Sequence, residues 1–128
     1  MPDFRNIHVF DLMKYRLPWA GKVSILHRVS GLLMFLLIPF VLYLFDKSIT
    51  SEISFSTFKA VLANPFAKLV ILALIWSYLH HFCAGIRFLM LDLHKGIDKK
   101  SSAQSAVMVL VVSLSLTAVC AAKLFGLF

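Results

Sequence analysis

The chain has 128 residues, 60% of them hydrophobic, and a formal net charge of +7. Its mean hydropathy of +0.87 is far above that of an ordinary soluble domain and indicates an integral membrane protein. The positive charge does not indicate a nucleic-acid partner, because the lysines and arginines flank long apolar stretches and form no continuous patch.

These apolar stretches approach the ~20 residues that a helix needs to cross the hydrocarbon core of a bilayer. We predict spans over about residues 22–46, 65–93 and 102–126 of a single domain, 1–128. The predicted fold class is therefore all-α, an integral membrane protein with three transmembrane helices. No acid–base pair or activated nucleophile is evident in these helices, so a hydrolase is not expected.

The segment before the first span, residues 10–19, mixes apolar and basic side chains and is expected to lie at the membrane interface. No apolar stretch with a cleavage site precedes it, so the first span is expected to act as its own insertion signal, which suggests a bacterial inner membrane. Pro39, inside the first span, predicts either a kink or a proline that neighbouring helices absorb.

The first span opens with the polar segment 24–31, Ser-Ile-Leu-His-Arg-Val-Ser-Gly. At helical spacing Ser24, His27, Arg28 and Gly31 fall at i, i+3, i+4 and i+7, which is one face. Ionisable groups within a span are expensive, so this face is predicted to bind something polar.

Interpretations of the same segment that need no bound ligand are also open. Arg28 can be a residue that extends its charged head to the membrane surface. The hydroxyls of Ser24 and Ser30 can bond back to their own helix, which we favour for Ser30.

Between the first two spans, residues 47–63 carry apolar side chains at helical spacing, including Phe55 and Phe58, which predicts a short surface helix. Asn64 and Pro65 then form a start signal for the second span, a capping residue followed by proline at the first helical position.

The third span carries a start signal and a row of small residues. Ser101 with Gln104 three residues later has the capping-box pattern. Further along, Ser113, Thr117 and Ala121 share one row, which favours a packing seam with a partner helix over a site.

The second span carries two adjacent histidines on different rows. The row of small residues around His81 leaves a groove for a flat ligand, and its members are Ala73, Ser77, His81 and Gly85. The row of His80 is bulky and consists of Trp76, His80, Ala84 and Phe88. If one histidine binds a metal or haem, spacing favours His81. The alternative is close helix packing with His81 hydrogen-bonded across the interface.

Depth connects the two polar features. Arg28 lies six residues inside Lys22, and His81 lies six residues inside Arg87, so both lie ~9 Å from the flank. A haem fits this arrangement, with iron on His81 and propionates on Arg28 and His27. Apart from His27 no second axial ligand lies at that depth, so a six-coordinate haem would need a histidine from another subunit.

The motifs at 24–31 and at 81–87, followed by Asp92, resemble those of the cytochrome b membrane-anchor subunit of succinate dehydrogenase (succinate:quinone oxidoreductase). Arg16 with Pro18 also matches a short pattern common upstream of the first motif, and the resemblance covers the whole chain. One departure is Phe88, where the family often has histidine. The role of His80 is left open.

This resemblance implies that His81 is an axial ligand of haem b and that Ser24 and Arg28 border a ubiquinone site, with His27 beside them. It also implies that His27 and Arg28 lie near the haem propionates. Together with the groove, the expected haem pocket is His27, Arg28, Ser77 and Gly85.

The resemblance further implies three partner subunits: a flavoprotein that oxidises succinate, an iron–sulfur protein, and a second small membrane anchor that shares the haem and the helical bundle. Ubiquinone would be the substrate that this membrane region reduces. The alternatives are the anchor of a quinol:fumarate reductase, because sequence does not set the direction, and a cofactor-free scaffold for a soluble enzyme.

Positive charge predicts the orientation. Nine cations precede or open the first span or lie around the second loop, against four around the first loop and at the C-terminal end, which predicts a cytoplasmic N-terminus and a periplasmic C-terminus. The nine are Arg5, Lys14, Arg16, Lys22, Arg28, Arg87, Lys95, Lys99 and Lys100, and the four are Lys47, Lys59, Lys68 and Lys123.

Overall fold

The computed structural model describes residues 8–128, so Arg5 of the orientation argument lies outside the described residues. A short 3-10 helix, Val9–Lys14, precedes five α-helices, and no strand occurs within this range. The α-helices are α1 (Trp19–Leu36), α2 (Ile38–Ile49), α3 (Glu52–Ala63), α4 (Pro65–Asp92) and α5 (Lys99–Leu124). The all-α prediction is confirmed.

Helices α4 and α5 are each long and apolar enough to cross a membrane. Helices α1 and α2 meet the same test only together, as one span bent by 48°. The predicted second and third spans match α4 and α5 to within a few residues. The predicted first span, 22–46, corresponds to a broken helix and not to a straight one.

The break at Leu37 has a local cause. Pro39 has no N–H to donate to the carbonyl four residues earlier, and its ring crowds that turn, so a straight helix through this point is disfavoured. Pro39 lies in the first turn of α2, where a missing N–H costs little. Of the two outcomes expected for this proline, the structure has the kink.

Helix starts follow local capping chemistry. Asn64 Oδ1 accepts hydrogen bonds from the backbone N–H groups of Phe66 (2.9 Å) and Ala67 (3.3 Å), as predicted for the start of α4. The predicted Ser101 cap is wrong: α5 begins at Lys99, and the Asp98 carboxylate caps it by accepting from the Ser101 N–H at 3.0 Å. This hydrogen bond lowers the pKa of Asp98.

The predicted surface helix is also present, as α3, but residues 47–49 belong to α2. Only Thr50 and Ser51 separate the two helices. Ser51 caps α3 reciprocally with Ser54, whose hydroxyl also donates to the carbonyl of Lys47 at 3.0 Å.

The core is small and unusually polar. Helix α4 packs between α1 and α5. The apolar centre consists of Val23, Ala84, Ala106 and Val109. The buried polar side chains are Ser30, Ser77, His80, Arg87 and Ser113. Large apolar side chains are mostly on the outside, as expected where lipid or another subunit covers them.

Candidate functional site

The side chain of His81 crosses from α4 to α1. Its Nδ1 lies 3.1 Å from the backbone carbonyl oxygen of His27 and 3.1 Å from the hydroxyl oxygen of Ser30. Ser30 is fully buried and donates its own proton to the same His27 carbonyl at 2.7 Å. This contact confirms that His81 lies level with the polar segment of α1, the depth that was predicted by counting residues from the flanks.

These contacts determine which ring nitrogen of His81 carries the proton. A carbonyl oxygen only accepts hydrogen bonds, and the single proton of Ser30 is already used. Nδ1 of His81 is therefore the donor, and its neutral ring has an unprotonated Nε2. Within residues 8–128, Nε2 has no hydrogen-bond partner and is not enclosed. A lone pair at Nε2, with Nδ1–H held by a carbonyl, is the arrangement typical of a metal-ligating histidine.

Two further residues of α1 shape the surroundings of His81. The imidazole of His27 stacks on that of His81, with ring centroids 4.0 Å apart and an interplanar angle of 15°. A Cβ atom at Gly31 would lie 3.1 Å from Cε1 and 3.4 Å from Nδ1 of His81. Gly31 is thus the position where the absence of a side chain lets the His81 ring approach α1.

Gly85 and Phe88 contact His27 from α4. A Cβ at Gly85 would lie 3.9 Å from His27 Nε2, an ordinary contact. The ring of Phe88 meets that of His27 edge-on, with centroids 5.1 Å apart. The residue that departs from the family motif therefore packs against His27.

Ser24 and Arg28 lie one turn apart on α1, on the side of His27. Ser24 is half-buried and Arg28 is exposed. Neither side chain makes a hydrogen bond to any other residue between 8 and 128, unlike Ser30. Of the two serines, only Ser30 has a hydroxyl that bonds back to its own helix, as the sequence allowed for both.

His80 points away from this site and into the core. It is fully buried, its ring stacks on Trp76 with centroids 5.2 Å apart, and its Nδ1 lies 3.5 Å from the hydroxyl of Ser113. Its Nε2 is enclosed without a partner in the described part of the chain. His80 cannot reach a ligand outside the chain unless the three helices separate.

The predicted groove along α4 is not open over its whole length. Ser77 has no exposed surface, and its hydroxyl donates to the Ala73 carbonyl at 2.7 Å. The prediction that Ser77 lines an open haem groove is corrected accordingly, because the other helices of this chain cover that residue. His81 and Gly85 remain half-buried.

One polar cluster was not anticipated. Arg87, 6% exposed, donates from Nε to the Ser105 hydroxyl at 2.9 Å and from Nη2 to the hydroxyl and carbonyl of Ser102 at 2.9 and 3.1 Å. The sequence feature that indicates this cluster is the group of serines at the start of an otherwise apolar third span.

The structure thus brings His27, Ser30, Gly31 and His81 together. In residues 8–128, no group of three or more His, Cys, Asp and Glu side chains converges on a point. A metal held here would therefore take at most two such ligands from residues 8–128.

The model of the family described as succinate dehydrogenase/fumarate reductase transmembrane subunit matches residues 5–120. The chain belongs to this family. It is similar to the succinate dehydrogenase cytochrome b556 subunit of Coxiella burnetii, with 36% identity over 104 residues that cover 80% of this chain and 83% of that protein. The resemblance found in the two motifs is confirmed, and the chain is a transmembrane subunit of an oxidoreductase of the succinate dehydrogenase/fumarate reductase type.

Proposed function

We propose that the chain supplies His81 as one axial ligand of a haem b and, with a second small membrane subunit, encloses that haem. The observation that carries the proposal is the His81 hydrogen bond to the His27 carbonyl, which leaves the Nε2 lone pair free. The similar Coxiella burnetii protein is named a cytochrome b556 subunit, which supports haem as the group.

The other residues of the site have subsidiary roles. When bound, haem b supplies a one-electron carrier within the membrane region. The cation of Arg28 and the ring of His27 would hold the propionates, since both lie within a turn of the His81 contact. Gly31 leaves room for the ring of His81, and Gly85 lies beside the ring of His27.

The same face would hold ubiquinone through Ser24 and Arg28. A quinone carbonyl accepts hydrogen bonds, and these two side chains have donors that residues 8–128 leave unused. Arg28 would stabilise the negative charge that develops as the quinone is reduced. Electrons would come from succinate through a flavoprotein and an iron–sulfur subunit.

The family description also covers fumarate reductases, in which the same kinds of subunit would carry electrons from quinol to fumarate. Direction depends on the cofactor potentials and the quinone and not on the residues described above. A visible spectrum of the purified complex tests the proposal: a reduced haem b spectrum is expected, and the cofactor-free scaffold predicts no Soret band.

Orientation is part of the proposal. The nine-to-four distribution of lysine and arginine favours a cytoplasmic N-terminus in a bacterial inner membrane. If α1 and α2 form one bent span, the chain crosses three times and Phe128 is periplasmic. A reporter fused after Phe128 should then be active only as a periplasmic enzyme, and cytoplasmic activity would refute the orientation.

Gly31 offers a test of the space that the His81 ring needs. In Gly31→Val, the added side chain would push the ring from its hydrogen bond, and overpacking of this kind costs ~1–3 kcal/mol, which corresponds to about 5- to 150-fold in haem affinity. Gly21→Val on the same helix is the control, because a Cβ there meets only Pro18 and Leu17 at 3.6 Å or more. Equal haem content in both purified variants would contradict this role of Gly31.

A further inference from the structure

On the other side of α4, helices α4 and α5 leave a groove beside their connecting turn. The groove has a volume of about 440 Å³. Its rim at the turn contains Lys95, Gly96 and Ser101, Arg87 and Ser105 lie further in, and its deep end is lined by Cys83, Met108, Val109 and Val112. It runs ~16 Å along α5 from Ser101 to Val112.

No carboxylate within residues 8–128 neutralises the charge of Arg87 in this groove, and its guanidinium lies 5.7 Å from the centroid of the Phe88 ring. Three of its five N–H groups are bound by Ser102 and Ser105, which are neutral. Nη1 makes no hydrogen bond within residues 8–128, and neither Asp92 nor Asp98 forms an ion pair with the guanidinium. A buried cation is stable only when something compensates it, and in a membrane segment that requirement is stronger.

The lining of the groove is positively charged at one end and apolar at the other, which matches the charged head and apolar tail of an amphiphile. Lys95 and Arg87 place positive charge at the end nearest the turn, where a span meets the headgroups. Beyond them the lining is methionine, valine and cysteine, and Met108 and Val112 are exposed to the surroundings of the helices. A free anion would leave this apolar half unused, and a lipid without a phosphate would leave the charge of Arg87 unpaired. The quaternary ammonium of a zwitterionic phosphatidylcholine would be repelled by Arg87 and Lys95.

We propose that this groove binds one anionic phospholipid, with its phosphate at Arg87 and Lys95 and an acyl chain along Met108 and Val112. The site does not depend on the haem or quinone proposals, because Arg87 faces α5 whereas His81 faces α1. It rests only on insertion of α4 and α5 in a bilayer.

The test uses the intact detergent-purified complex and native mass spectrometry. Phosphatidylglycerol, phosphatidylcholine with the same chains, and inorganic phosphate are added separately. Phosphatidylglycerol should bind in preference to the other two. Arg87→Gln should weaken one phosphatidylglycerol binding event about tenfold, the usual effect of a lost hydrogen bond to a charged group.

A second pair of variants keeps Arg87 in place, in case its replacement prevents folding. Val112→Trp fills the deep end of the groove and should remove one bound phosphatidylglycerol. Val111→Trp adds the same bulk to a neighbouring exposed position outside the groove, and should bind as the wild type does.

Four results would overturn the proposal. Equal phosphatidylglycerol binding by the Val111 and Val112 variants would mean that no acyl chain occupies the groove. Equal binding of phosphatidylcholine, or equally tight binding of inorganic phosphate, would mean that an anionic lipid is not what is recognised. Loss of another subunit from the Val112 variant alone would make the groove a protein interface.

Discussion

Replacing His81 with alanine should remove haem from the purified complex or shift its reduced spectrum. Among residues 8–128, His81 Nε2 has no hydrogen-bond partner and is not enclosed, since it is Nδ1 that the His27 carbonyl engages, whereas Nε2 of His80 is enclosed. Under the proposed function, the iron would then keep only a bond that a second membrane subunit would supply. The measurement is the ratio of reduced haem absorbance to complex, determined on the same sample.

His80→Ala is the control for this experiment. His80 is enclosed beside Ser113, so its removal leaves a cavity and lowers the stability of the subunit, but no iron ligand is lost. Haem per assembled complex should therefore change much less than in His81→Ala. An unchanged spectrum in His81→Ala, or an equal loss in both variants, would contradict the assignment of the ligand.

Replacing Ser24 with alanine should sharply slow electron transfer from succinate to ubiquinone. The Ser24 hydroxyl has no acceptor among residues 8–128, so it is available to donate to a quinone carbonyl. Losing one donor that acts on a developing negative charge costs ~2.7–4 kcal/mol, which is about a hundredfold or more in rate. Reduction of an artificial acceptor that takes electrons upstream of the membrane region should survive.

Ser48→Ala provides the matched hydroxyl deletion. Ser48 lies near the far end of α2 and donates to the Phe45 carbonyl at 2.7 Å, so it has no part in the proposed site. The rate of quinone reduction in Ser48→Ala should equal that of the wild type. If Ser24→Ala loses both activities, the defect is in assembly, and if it loses neither, Ser24 is not a quinone ligand.

The sequence was sufficient for those features that follow from one helix at a time. Hydropathy located α4 and α5, Asn64 and Pro65 located a helix start, and the rise per residue placed His81 level with Arg28. Pro39 raised the question of a kink, but the angle between α1 and α2 depends on what packs around the break.

Features that depend on how helices face one another could not be predicted from the sequence. Ser30 was expected to bond its own helix and does so, yet its second contact, with His81, needs α1 and α4 in their packed positions. Ser77 belongs to the same row as His81, and only the position of the neighbouring helices shows that it is covered. For the same reason the Arg87 cluster was missed.

The polar contacts of α4 have a consequence for its rotation about its own axis. His80 and His81 are neighbours and therefore lie about 100° apart around the helix, so a rotation of that size would present the wrong imidazole. Two tethers that face different helices oppose that rotation: His81 is bound to α1 and Arg87 to α5, ~9 Å apart along the axis. The direction of the His81 ring is thus set when this subunit folds, and the entropic cost of aiming it does not fall on the later assembly step.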